Sequence, residues 1–245
     1  MSFNSAMKVK EIALSNPGAK RILEDAGIDY CCGGAKSLHE ACLHANVPAD
    51  EVLKRLRENS EQAGSETLWV SAPLADLTRH IREKHHQYVR GAIPGVKTSL
   101  EKVKAKHGEK HREIGDIQMF FIRVGQEMIM HMQKEEQILF PYIDAVERAV
   151  NEKKKVEPPF FGTVRNPIQA MMSEHDSAGE LVKQIRKASS EYTPPADACT
   201  SFQALYQDLR QFEEDLHEHV HLENNILFPR AAEMEAAVLR ACPTS

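Results

Sequence analysis

The chain of 245 residues carries a formal net charge of −5 and five cysteines, which leaves room for a sizeable core without disulfides. Basic and acidic residues are interleaved, which excludes a basic stripe for nucleic acid and a polybasic membrane patch. The opening MSFNSAMKVKEIALS lacks the apolar core of a secretory signal and no apolar run is long enough to span a bilayer, so the expectation is a soluble, cytoplasmic protein with reduced thiols.

Residues 8 to about 60 read as several short helices. Asn16-Pro17 opens one and Gly27 closes it, Ser37-Leu38-His39-Glu40 has the S-x-x-E form of a capping box, and Pro48 starts a last amphipathic segment. The stretch NSEQAGSET (59–67) is polar and without apolar periodicity, so it marks a break. This predicts a small helical domain at 1–62, a linker at 63–70 and a main domain at 71–245. From Ser71 onward the apolar spacing is helical and no strand pattern competes, giving an all-α fold. Four long helices parse naturally. The first opens at Ser71 and runs to about His107 with a bend at Pro94. The second covers about 111–151 and is interrupted near Pro141. The third takes Asn166 as its N-cap and Pro167 at its first position. The fourth covers about 197–239 and is interrupted near Pro229.

Two of these helices carry the same signature. HMQKEEQILFP from His131 and HVHLENNILFP from His219 share His, Glu, Ile, Leu, Phe and Pro at an offset of 88, which also maps Glu127 onto Asp215 and Glu135 onto Glu223. On the preceding helices His86 and His175 lie 89 apart. The main domain is therefore read as a duplicated helical hairpin that folds into a four-helix bundle. Residues four apart share a helix face, so Glu127, His131 and Glu135 form one stripe and Asp215, His219 and Glu223 another. Charged groups turned towards a bundle core are costly unless paired or bound to a cation. His86, His131, His175, His219, Glu135 and Glu223 supply four nitrogens and two carboxylates. That set suits two first-row ions sharing the carboxylates, and with an oxo or hydroxo bridge it leaves room for a small diatomic ligand, which favours iron. Structural zinc would use fewer ligands and usually thiolates.

A single His-x-x-x-Glu on a helix is most often a surface ion pair; two copies in register, each with a histidine on the helix before, reverse that reading. Glu127 and Glu174 are taken as partners holding an imidazole N–H, and Asp215 as either that or exposed. Spacing leaves His85 and His86 open. Leu74, Leu77, Ile81, His85 and Tyr88 make the better apolar stripe, whereas the repeat offset favours His86. His217 and His221 read as solvated, and His39, His44, His80, His107 and His111 as ordinary surface or interhelix residues. In DYCCGG (29–34), Cys31 and Cys32 precede two glycines and a helix start, which suits either a reactive or metal-accepting dithiol or two buried space-filling thiols.

Taken together, IDYCCGG, SLHEAC, EKHHQYVRGAIP, HMQKEEQILFP, SEHDSAGEL and HVHLENNILFP resemble the bacterial di-iron proteins for repair of iron centres, the RIC family, over nearly the whole chain. The resemblance implies a hemerythrin-like bundle with a non-haem di-iron centre and a part in restoring iron-sulfur clusters damaged by nitric oxide or peroxide. It implies His86, His131, Glu135, His175, His219 and Glu223 as iron ligands, with both glutamates bridging. Glu127 and Glu174 would lie at the site or its access route, and Cys31 and Cys32 would be the family's cysteine pair. The family carries a tyrosine where this chain has His85, which supports His86. Three activities fit: donation of iron to damaged clusters, which is the reading adopted; reduction of nitric oxide at the iron pair; and an NO or oxygen sensor or carrier. The expected partners are iron-sulfur proteins and a small ligand such as NO or oxygen, with neither nucleic acid nor membrane; whether the chain forms a homodimer is left open.

Overall fold

The structure, a computed structural model, describes residues 3–15, 17–31, 33–58 and 67–241. Among these there is no strand, only an isolated bridge between Lys8 and Ser37. The N-terminal domain consists of α1 (Val9–Ser15), α2 (Pro17–Asp25), α3 (Leu38–Ala45) and α4 (Ala49–Glu58). The expected capping box is present: the Ser37 hydroxyl accepts from the Glu40 amide and the Glu40 carboxylate accepts from the Ser37 amide. Gly27 takes a positive φ of 67°, the left-handed conformation that ends a helix at little cost to glycine. Asn16, Cys32 and the first half of the expected linker, 63–66, lie outside the described residues; its second half is helical, in α5 (Thr67–Ser71).

The main domain has four long helices, three of them interrupted by a widened π-turn. The first is α6 (Leu74–His80), a π-turn at Ile81–His86 and α7 (Gln87–His107). The second is α8 (Glu113–Lys134), a π-turn at Glu135–Leu139 and α9 (Phe140–Glu152). The third is α10 (Arg165–Ala188). The fourth is α11 (Thr200–Leu222), a π-turn at Glu223–Leu227 and α12 (Phe228–Ala241). Two of the π-turns follow from the prolines. Pro141 and Pro229 have no N–H, and in an unbroken α-helix their rings would strike the carbonyl four residues back. The chain widens just before each, with Phe140 donating to Glu135 O and Phe228 to Glu223 O across five residues. In the first helix α7 runs on through Pro94, and the irregularity expected there sits earlier, at Ile81–His86.

The buried side chains fall into two apolar clusters. Val89, Val124, Met128, Met132, Ala178, Leu216 and Val220 belong to one, together with the N-terminal domain's Ile12, Leu23 and Tyr30. Leu77, Ile81, Leu139, Phe140, Met171, Ile226 and Phe228 belong to the other. Each long helix crosses from one cluster to the other where its candidate ligands stand: between Ile81 and Val89, Met128 and Leu139, Met171 and Ala178, and Leu216 and Ile226. The polar residues thus form a layer closed by hydrocarbon on both sides.

Two buried carboxylates cap helix starts across the bundle. Glu147 accepts from Leu74 N (2.7 Å) and Ala75 N (2.9 Å) at the start of α6. Glu235 accepts from Val164 N (2.8 Å) just before α10 and also from Tyr142 Oη and Thr163 Oγ1. Asn166 is therefore not the N-cap; its amide donates to Phe161 O at 2.8 Å, and the start of α10 is capped from another helix. Glu147 and Glu235 are themselves 88 residues apart, so the duplication includes its caps. An anionic partner for orphan amides is stabilising at a helix N-terminus. Glu147→Ala is expected to cost about 1–2 kcal/mol in urea unfolding, within the range for lost N-caps. Glu235→Ala should cost more, about 2–3 kcal/mol, because three donors lose their acceptor and two of those donors belong to side chains.

Candidate metal centre

Six side chains meet in the layer between the clusters, and each is essentially removed from solvent. They form two groups: His86, Glu135, His219 and Glu223; and His131, Glu135, His175 and Glu223. Within each, one donor atom per residue lies within 4.8 Å of all the others, and Glu135 and Glu223 belong to both groups. His86 Nε2 lies 3.2 Å from His219 Nε2, and His131 Nε2 lies 3.0 Å from His175 Nε2. Glu223 spans the pair, with Oε1 3.0 Å from His219 Nε2 and Oε2 3.0 Å from His175 Nε2. Glu135 Oε2 stands 3.4 Å from His86 Nε2 and 3.3 Å from His131 Nε2, and neither Glu135 oxygen accepts a hydrogen bond among the described residues.

The outer ring nitrogens explain why the inner ones face each other. Glu136 takes His86 Nδ1 at 2.7 Å and is itself gripped by both guanidinium nitrogens of Arg90 at 2.9 Å. Glu174, paired with Lys134, takes His131 Nδ1 at 3.0 Å. The Asn224 amide oxygen takes His175 Nδ1, also at 3.0 Å. With the proton held at Nδ1 by an acceptor, Nε2 presents a lone pair. Buried lone pairs about 3 Å apart beside two carboxylates repel unless a cation or proton sits between them. First-row ions accept imidazole nitrogen at about 2 Å, so each nitrogen pair can touch one ion. The donors fit a metal pair.

Burial disfavours charge on Glu223, yet the neighbouring His219, with His131 and His175, holds its carboxyl well below the usual range. Glu135 is lowered in the same sense; burial and Glu223 oppose the shift, and His131 outweighs them. On His131 burial is overcome by Glu135, which raises the imidazole well above its ordinary value. The carboxylates stay ionised, the form that binds cations.

Aromatic residues of the repeat close the site. Phe140 lies near-parallel to His86, with ring centroids 5.7 Å apart, and Phe228 lies near-parallel to His175 at 6.0 Å. The Phe of each repeated motif thus covers the histidine supplied by the preceding helix.

Residues 77–231 match the model of the hemerythrin HHE cation binding domain, and residues 5–60 that of a domain of unknown function, DUF542. The chain belongs to the hemerythrin HHE family. Its HHE domain is a cation-binding domain, in keeping with the donor set above. The chain is 37% identical over 232 residues to a probable iron-sulfur cluster repair protein of Haemophilus influenzae, covering 94% of this chain and 98% of that one. It is also 37% identical over 221 residues to iron-sulfur cluster repair proteins YtfE of Escherichia coli O81 and of Escherichia fergusonii, covering 90% of this chain and 94% of theirs.

The HHE architecture brings together the six residues expected as ligands and decides between the two adjacent histidines. His86 points into the donor set. His85 lies stacked on His219 at 5.6 Å, with its Nδ1 on Asp215 at 2.9 Å. Glu174 holds an imidazole as expected, but Glu127 does not: its oxygens accept from Arg123 and Ser177. At the repeat offset of 89, Glu174 corresponds to His85, so the carboxylate that serves His131 has an imidazole as its counterpart. His219 Nδ1 is accordingly left without a hydrogen-bond partner among the described residues. Glu136 and Asn224 were not singled out from the sequence, although each directly follows a shared glutamate and the motif offset of 88 relates them.

His221 is fully buried rather than solvated. The N-terminal domain packs on this face of the fourth helix, with Tyr30 edge-on to His221 at 5.2 Å, and Asn225 lies 2.9 Å from His221 Nδ1. His217 is half-buried beside the same tyrosine, and His111 is buried between helices against Asp197 and Phe202. Cys31 lies in a 180 Å³ cleft between the domains, lined also by Asp29, Lys183, Arg186 and Glu213. Its thiol donates to Asp29 Oδ1 at 3.1 Å and is not in the donor set, while its carbonyl accepts from Asn224 Nδ2 at 3.3 Å. Cys32 lies outside the described residues.

Outer partners fix imidazole orientation and basicity. Removing the carboxylate in Glu136→Ala or Glu174→Ala is expected to weaken metal binding about 10- to 100-fold in chelator competition. Glu127→Ala, which touches no candidate ligand, should leave binding within about twofold.

Proposed function

We propose that the protein is a non-haem di-iron protein that repairs iron-sulfur clusters damaged by nitrosative or oxidative stress by donating iron to them. The observation that carries this reading is the pair of interlocked donor groups sharing Glu135 and Glu223. His86 and His219 would hold one iron, His131 and His175 the other, and the two glutamates would bridge them with an oxo or hydroxo group between. A set of nitrogen and carboxylate donors without thiolate suits a redox-active hard or borderline ion better than structural zinc. The similarity to iron-sulfur cluster repair proteins of other bacteria supports the same role. The acceptors would be iron-sulfur proteins that have lost iron; NO, peroxide or oxygen would be the small molecules that meet the centre; and the compartment would be the cytoplasm. No helix of the described residues is long and apolar enough to cross a membrane.

Donation requires that the emptied site not strand two buried anions. His131 and His219 supply the means: burial opposes their charge, but Glu135 beside His131 and Glu223 beside His219 raise both imidazoles above the ordinary range. Protons taken up there replace the positive charge of the departing ion, as metal and proton compete for the same nitrogens. Phe140 and Phe228 meanwhile keep the facing rings of His86 and His175 in place.

Protein purified without oxygen is expected to hold two irons per chain and to lose them when either Glu135 or Glu223 is replaced by leucine; metal analysis checks this. Two irons retained in both variants would overturn the ligand assignment. Incubated with a cluster-free iron-sulfur protein, inorganic sulfide and a thiol reductant, the wild type should lose iron as the acceptor's cluster absorption returns. Sustained nitrous oxide formation from NO with a reductant, without iron loss, would replace donation with reduction as the function. Because release needs proton uptake, transfer to a chelator should speed up as pH falls, and because Glu135 and Glu223 raise the imidazoles of His131 and His219, the acceleration should set in above about 6.5, the ordinary imidazole value; a pH-independent rate would exclude the proton-exchange account.

A further inference from the structure

The two halves of the centre differ in what anchors the acceptor of the first histidine's Nδ1–H. Glu136 and Asn224 occupy equivalent places, each directly after a shared glutamate and inside a π-turn. Glu136 receives His86 and is clamped by Arg90 of the same bundle. Asn224 receives His175 with its carbonyl oxygen and uses its other end, Nδ2, to donate to the backbone carbonyl of Cys31 in the N-terminal domain. Its neighbour Asn225 donates to the adjoining Tyr30 carbonyl at 3.0 Å. One side chain thus spans from the cysteine loop to an imidazole of the donor set. An asparagine amide is rigid and planar, so moving one end moves the other.

We infer that Asn224 is a positioning residue that couples the cysteine loop to the His131–His175 half of the centre, so that displacing the loop changes how readily that half releases its ion. The inference rests on the di-iron reading above. An acceptor that shifts by a few tenths of an ångström re-aims the imidazole it holds, and such outer partners influence metal affinity strongly. The acceptor of His86 is anchored within the bundle and has no such tie to the loop, so a displacement of the loop bears on the His131–His175 half.

Gly34 provides the means to displace the loop without touching the centre. A Cβ there would lie 2.6 Å from the Tyr30 carbonyl oxygen and 3.2 Å from Asn225 Oδ1, which forces the backbone to move. Asn224→Asp cuts the tie selectively, because a carboxylate still accepts from His175 but cannot donate to Cys31. The test is a double-mutant cycle on iron release to a chelator. Gly34→Ala in the wild-type background should change the rate for half of the iron by about threefold or more and leave the other half unchanged, and in the Asn224→Asp background it should change neither. Asn225→Ala, which loosens the loop from the Tyr30 side, should repeat the pattern if Gly34→Ala does not fold. Equal effects in both backgrounds, or none in the wild type, would overturn the coupling. Nitrogen NMR of the metal-stripped protein tests the same link without iron. Loop displacement should move the His175 Nδ1–H resonance but not that of His86, and only while Asn224 is present; a resonance that stays put overturns the inference. Absence of iron from the wild type would instead refute the di-iron reading, and the NMR comparison would still decide on Asn224.

Discussion

Two carboxylates buried in the middle of a helical bundle are the constraint around which the rest of this structure is arranged. Glu135 and Glu223 are cut off from water between two apolar clusters, where an isolated charge would shift its pKa or unfold the chain. They remain ionised because four imidazoles surround them, and three of these, His86, His131 and His175, keep their lone pairs inward because other groups hold the outer N–H. Every layer outward serves the one inside it: Arg90 fixes Glu136, Lys134 fixes Glu174, and two phenylalanines cover the rings. Such a core is poor as a purely structural element, since hydrophobic residues of the same volume would cost less. Its donor set suits a cation.

Duplication accounts for much of the economy of this design. One offset relates the shared glutamates, their histidines, the covering phenylalanines, the prolines that widen the helices and the carboxylates that cap helix starts. Departures from the symmetry are correspondingly informative. Where the second half has Glu174, the first has His85, so His131 is held by a carboxylate and His219 Nδ1 is not. Where the first half has Glu136, the second has Asn224, and the neutral amide has a free end with which to reach the N-terminal domain. The two candidate metal positions still balance, because each combines one imidazole backed by a carboxylate with one that is not.

The N-terminal domain shares a continuous apolar core with the bundle and covers the fourth helix near the centre. Its cysteine loop meets the HHE domain at the π-turn that begins with Glu223, through two consecutive asparagines. The backbone of Cys31, rather than its thiol, makes the contact that leads inward. That arrangement leaves the sulfur beside Asp29 in a cleft open to the interface, where its chemistry is separate from the donor set but mechanically connected to it.

The all-α fold, the duplicated hairpin and the six donors were legible in the sequence, because helical periodicity and a repeat offset depend only on spacing along the chain. Single-helix reasoning could also find the proline-driven breaks near 141 and 229, since a missing N–H acts locally. It could not find partners that come from other helices. Asn166 looks like an N-cap, yet Glu235 arrives from across the bundle to take that place, and Glu127 sits on the ligand stripe but turns to Arg123 and Ser177. His221 looks solvated until a second domain packs on it. The choice between His85 and His86 turned on one residue of helical phase, about 100° of rotation, and the π-turn at Ile81–His86 alters that phase with no proline beside it to announce the change. Sequence thus determined which residues could bind a metal; the packing of helices against one another decided which acceptor holds the imidazoles of His86, His131 and His175, because hydrogen bonds over 43 to 193 residues of chain exist only once the bundle has closed.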